Sequence, residues 1–104
     1  MSFVNLTPHE ITIIGAETIV VPPSGTVARV SSVSVPSMPR DGVECTVFVF
    51  GGVQGLPEPA AGVTFIVSGM VLDACNRSDL AAPGVLVRDD AGQPIGCRGL
   101  RVRA

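Results

Sequence analysis

The chain has no lysine, no tryptophan and no tyrosine, a single histidine, and three cysteines with no C-x-x-C pair among them. An odd number of thiols without paired spacing points to neither a disulfide framework nor a zinc ribbon. Cys45, Cys75 and Cys97 sit in "VECTVFVF", "VLDACN" and "IGCRGL", and read as small hydrophobes. His9 precedes Glu10 as in H-E-x-x-H, but position 13 is Ile and there is no second histidine, so that zinc site is excluded and no metal centre is expected. There is no G-x-S-x-G nucleophile turn, and "FGGVQG" lacks the Lys-Ser/Thr of a phosphate-binding loop. These absences predict a protein that is not an enzyme, with no catalytic residues and no cofactor. No apolar run attains the roughly 18 to 20 residues needed to span a bilayer, because Gly, Pro, Asp and Arg interrupt each one. "MSFVNLTPHE" lacks the basic and apolar regions of a secretory signal. The expectation is therefore no membrane and a cytoplasmic setting.

What the chain does have is apolar bulk. Hydrophobic residues make up 46% of its 104 positions, charged residues 15%, and the mean hydropathy is +0.50. That is greasy for a small domain that must still cover its own outside, so some apolar surface is expected to meet another copy in a homo-oligomer. The net charge is -2, whereas binding to a nucleic-acid backbone shows an excess of basic charge; a nucleic acid polymer is not expected as partner. All seven basic residues are Arg, so every cation is a planar fork suited to carboxylate or phosphate.

Turn signals recur at roughly 8 to 12 residues, and no helical repeat extends past about three turns. "EITII", "GAE" and "TIVV" predict a hairpin turning at Gly15; "PPSG" reverses the chain into "TVARV". "SSVSVPSMPRDG" reads as a loop that extends an edge strand. "VECTVFVF", residues 43–50, is the strongest strand, its near-continuous apolarity placing it centrally or at an interface. "GGVQGLPEPAAG" reads as a loop and "VTFIVS" as a strand. "GMVLDACN" predicts a helix capped by Ser68, with Met70, Val71, Ala74 and Cys75 on one face and Asn76 ending it in a left-handed turn. "RSDLAAPG" leads to the strand "VLVRD", the turn "DAGQP" and a closing hairpin through "IGCRGLRV". The expectation is one mainly β domain over residues 1–104, a small barrel or sandwich of about seven short strands with one short helix.

Two groups of residues invite a binding role. In "NLTPHEI", Pro8 holds Thr7 extended, and Asn5 and Thr7 are placed to bond nearby backbone. The segment is either a rigid turn feeding a strand or a rim presenting Asn5, Thr7 and His9 to a ligand. In "NRSDL" and "VRDDAG", Arg77 with Asp79 and Arg88 with Asp89 pair a forked donor with an acceptor near strand ends, and Arg98 follows on the closing hairpin. Such groups either bind a ribose, phosphate or base edge, or pin two loops as salt bridges.

The segments "VNLTPHEITI", "PPSGTVARV" and "VSGMVLDACNRSDLAAPGVLVRDDAGQPIGCRGL" resemble a family of short bacteriophage and prophage proteins, with an N-L-T-P-H-x-I start and an ending like R-x-D-L-x-x-P-G, V-R-D-x-x-G and I-G-C-R-x-L. The resemblance covers most of the chain except its weakly patterned middle. It implies expression in the cytoplasm of an infected bacterium, and it carries over no catalytic residue. A small non-enzymatic oligomer of viral origin is expected to act as an anti-defence sponge, binding a nucleotide immune second messenger without cleaving it. The exposed members of Phe3, Phe48, Phe50 and Phe65 would supply any stacking platform. The competing expectations are a virion structural or assembly protein, and a direct inhibitor of a host protein through a β-edge or apolar patch.

Overall fold

The structure, a computed structural model, describes residues 2–103. Its elements in chain order are β1 (Ser2–Asn5), β2 (Ile11–Ile14), β3 (Thr18–Val21), β4 (Arg29–Arg40), β5 (Val43–Gln54), β6 (Val63–Ile66), α1 (Gly69–Ala74), β7 (Leu80–Arg88) and β8 (Pro94–Arg101). Six strands form one sheet in the order β1-β6-β7-β8-β2-β3. A parallel bridge from Asn5 to Pro23, with the Ser24 amide donating to the Asn5 carbonyl at 3.0 Å, draws its two edge strands together into a nearly closed barrel. β4 and β5 form a separate two-stranded ribbon. The mainly β class with one short helix is as the sequence predicts.

Side-chain alternation explains how the sheet is filled. Along β6, Phe65 and the following Val67 point to one side and Ile66 to the other, as the two-residue period of a strand requires. Ile66 joins Ile11, Ile13, Val21 and Cys97 in one cluster. Phe65 and Val67 join Leu6, Ala28, Val71, Leu72, Leu80 and Ala82 in a second, which α1 covers. Val30 and Val53, at the root of the ribbon, pack against this second cluster and tie the ribbon to the body. Burying a side chain such as Leu72, fully shielded from solvent, contributes about 2 kcal/mol.

The local signals act largely as expected. β2 and β3 form the hairpin around Gly15, and Ser68 caps α1 by accepting a hydrogen bond from the Val71 amide at 3.3 Å. β7 and β8 form the closing hairpin, whose turn is held by Asp89: its Oδ1 accepts from the amides of Ala91 and Gln93, both at 2.9 Å.

Four details differ from the sequence reading. Residues 31–40 are not a loop but most of β4, and the "GGVQ" assigned to a loop extends β5 to Gln54. The reason is the Asp41-Gly42 pair, whose φ angles of 51° and 77° make the two-residue turn that matches strand twist, so both flanking segments zip together despite Pro36 and Pro39. β7 begins at Leu80 because the "LAA" triplet is buried beside β6. In α1 the buried residues are Val71 and Leu72, while Met70 is exposed; the helix ends at Cys75 in an extended conformation and not through a left-handed Asn76. Finally, "SFVN" is itself a strand, parallel to β6, a pairing that depends on a segment some sixty residues away.

Candidate functional site

Asn5 ends β1 with 1% of its surface exposed. Its Nδ2 donates to the carbonyls of His9 (2.8 Å) and Val21 (3.0 Å), and its Oδ1 accepts from the Thr7 amide (2.9 Å) and the Thr7 hydroxyl (2.6 Å). All four hydrogen-bonding positions of the amide are thus filled by the protein. Asn5 and Thr7 shape the turn that leads into β2 and clamp β1 to β3; their polar groups face inward. His9 enters this network through its backbone carbonyl, and its exposed ring makes no hydrogen bond among the described residues.

Arg77 lies between α1 and β7. Its Nε and Nη2 form a fork on Asp79 at 2.9 and 2.6 Å, its Nη1 reaches the Pro57 carbonyl at 2.8 Å, and its guanidinium sits 5.8 Å from the centre of the buried Phe65 ring. The hydrogen bonds from Arg77 hold the Asp79 carboxyl below its ordinary value, against the opposing effect of partial burial, and the same bonds raise Arg77. Both charges are therefore fixed at neutral pH, and through the Pro57 carbonyl the pair anchors the loop at residue 57 to the start of β7.

Arg88 and Asp89 lie at the other end of β7. Arg88 Nη1 donates to the Gly92 carbonyl at 2.8 Å, closing the same turn that Asp89 holds from within. Arg77 precedes β7 by three residues and Arg88 ends it, which over a nine-residue strand separates them by roughly 30 Å. Arg98 sits on β8 opposite Val85, exposed and without a side-chain hydrogen bond among the described residues. The predicted arginines do not converge on one pocket within a single chain.

The geometry adds a residue that sequence reasoning passed over. Arg103 folds back from beyond β8 so that its Nη1 lies 3.3 Å from the carbonyls of both Leu72 and Asp73, at the C-terminal end of α1, where a cation is favoured. Its neighbour Arg101 pairs with Asp73 at 3.0 Å. Asn76, Arg77, Ser78 and Arg103 then line a hollow of about 260 Å³. Nothing in the local sequence of Arg103 announces this, because its position depends on β8 running antiparallel to β7 and ending beside α1. Of the four phenylalanines, Phe65 is buried, Phe3 is half-buried, and Phe48 and Phe50 stand out from the ribbon. Among the described residues no group of three or more His, Cys, Asp and Glu gathers as a metal site would need, and no helix is long and apolar enough to cross a membrane.

Comparison with protein-family models, with curated proteins and with solved structures gives no match.

Proposed function

We propose that this protein works by stoichiometric capture of a small phosphorylated ligand, acting as a phage-encoded sponge for a nucleotide second messenger in the infected cell. The observation that carries this reading is the hollow between α1 and β7, where two guanidinium groups, Arg77 and Arg103, stand with Asn76 and Ser78. The Nε–Nη2 fork of Arg77 is taken by Asp79 and one Nη1 hydrogen by the Pro57 carbonyl, so toward a ligand Arg77 offers the second hydrogens of Nη1 and Nη2, in an orientation already set that loses little freedom on binding. Arg103 keeps Nε and Nη2 unengaged by any hydrogen bond among the described residues. At about 260 Å³ the hollow fits a phosphate or a ribose phosphate, and is below the ordinary size range for a complete nucleotide. Sequestration needs binding only, so the reading asks for no acid, base or metal.

The test is native mass spectrometry of the protein after incubation with extract from phage-infected, defence-active cells, followed by denaturation and identification of whatever is released. The expected result is an intact nucleotide in fixed ratio to protomers, reduced at least tenfold in Arg103→Ala. A protein that stays empty across several active extracts overturns the reading.

A second reading, a virion assembly component, is favoured by the long exposed ribbon. It requires that the protein be found in purified particles, which the first reading does not.

A further inference from the structure

The ribbon of β4 and β5 stands apart from the six-stranded sheet. Each strand has twelve residues, so it projects about 40 Å. Register places Val33 opposite Val49 and Val35 opposite Val47 on one face, and Ser34 opposite Phe48 and Ser32 opposite Phe50 on the other. Both faces therefore carry large apolar groups, and most are in solvent: Phe48 is 70% exposed and Val33 59%. An isolated two-stranded ribbon is marginal in water, and this one has neither face covered beyond its root.

The whole-molecule dimensions give the size of what is missing. The chain exposes 7111 Å², whereas a compact monomer of 10.7 kDa exposes about 5,500 Å². Its radius of gyration is 16.3 Å, against about 13 Å for a compact chain of this length. The surplus of roughly 1,600 Å² per chain is enough surface to supply the roughly 800 Å² per partner that a specific, stable interface buries.

The two edges of the ribbon differ. β4 carries Pro36 and Pro39, which lack the amide a new neighbour would need. β5 has no proline, and from Cys45 to Phe50, ahead of the irregularity at Gly51-Gly52, it has neither charge nor bulge, so this part of its free edge lacks the devices that keep an exposed strand from pairing. A two-fold axis perpendicular to a strand sets it antiparallel to its own copy, so one unprotected edge can be satisfied isologously.

We propose that the β4–β5 ribbon is an assembly arm whose occupant is a second copy of this chain: β5 pairs antiparallel with the partner's β5 across a two-fold axis. The four strands so joined form one sheet, in which the Val and Phe side chains of β5 gain lateral cross-strand neighbours from the partner's β5. The arrangement is independent of ligand capture, and either can fail without the other.

The deciding experiment is native mass spectrometry at about 10 μM together with amide hydrogen exchange, on the wild type and on the double variant Val47→Lys/Val49→Lys. The wild type is expected at an even multiple of the protomer mass, with β5 amides protected at least a hundredfold over the variant, and the variant is expected at the protomer mass. These two valines lie outside both core clusters, so the far-UV circular dichroism melt of the body reports whether the variant still folds. A monomeric wild type at 100 μM overturns the proposal whatever the variant does. So does a variant that stays assembled with β5 still protected, or a wild type recovered as a one-to-one complex with a different protein.

Discussion

The barrel body and the ribbon are built from similar residues and reach opposite ends of burial. β6 is "VTFI" and β5 contains "VFVF", yet Phe65 is 5% exposed and Phe48 70%. The difference lies in what each strand has beside it. β6 has β1 on one side, β7 on the other and α1 across its face, so each apolar side chain meets a complement from the same chain. β5 has only β4, a serine-rich partner of its own length. Hydrophobicity makes a strand want cover; topology decides whether the chain supplies it.

The largest expected effect breaks the body and spares the ribbon. Leu72 is fully buried between α1 and the sheet, and Leu72→Ala leaves a cavity under the helix. It is expected to cost about 3 kcal/mol in urea unfolding. Phe48→Ala removes a larger side chain from solvent-exposed ribbon, and in a monomeric background it is expected to shift stability by no more than about 0.5 kcal/mol. Equal losses at the two positions would mean that Phe48 is packed in the unit that unfolds.

The next effect separates two residues of one turn. Asn5→Ala strips the partners from the Val21 carbonyl and the Thr7 amide, leaves the His9 carbonyl with the Thr7 hydroxyl alone, and is expected to cost about 2 to 3 kcal/mol, because polar groups at a buried position are left unpaired. His9→Ala keeps the backbone carbonyl that Asn5 uses, and is expected to lie within about 0.5 kcal/mol of wild type. A thermal melt of both variants is sufficient. If His9→Ala proves as damaging as Asn5→Ala, the imidazole has a structural partner that its exposed position does not show.

How much of this was legible in the sequence follows the range of the interactions. Short-range chemistry was readable: the Gly15 hairpin, the Ser68 cap and the turn around Asp89 each depend on residues within five positions of one another. The turn that builds the ribbon was equally local, yet the weak alternation of "SSVSVPSMPR" hid the strand that Asp41-Gly42 nucleates. Long-range pairing left no local mark. β1 is a strand only because β6 lies beside it, and the Arg77–Arg103 hollow exists only because β8 ends at α1. Nor could composition show that Arg77 and Arg88, eleven positions apart in similar Arg-Asp settings, sit at opposite ends of one extended strand.

The smallest effect tests whether the body's shorter ion pair also contributes to its stability. Asp79 is held below its ordinary value chiefly by the hydrogen bonds from Arg77, so the folded state favours its ionised form more than the unfolded chain does. That contribution is complete above the unfolded carboxylate value of about 4 and disappears as pH falls through the lower folded value. Arg77→Ala should therefore be less stable than wild type by about 1 to 2 kcal/mol at pH 7, with solvent screening of a pair whose side chains are 26% and 18% exposed holding the effect at that size. The gap between the two proteins should narrow below about pH 4, as protonation of Asp79 removes from the wild type what the substitution has already removed from the variant. Arg88→Ala is the matched control at the far end of β7, since Arg88 bonds a backbone carbonyl and no carboxylate; its effect should not change with pH over the same range. A gap for Arg77→Ala that stays constant down to pH 2 would assign its cost to the lost contacts with Pro57 and Phe65, and leave the charge pair without weight in holding the loop to β7.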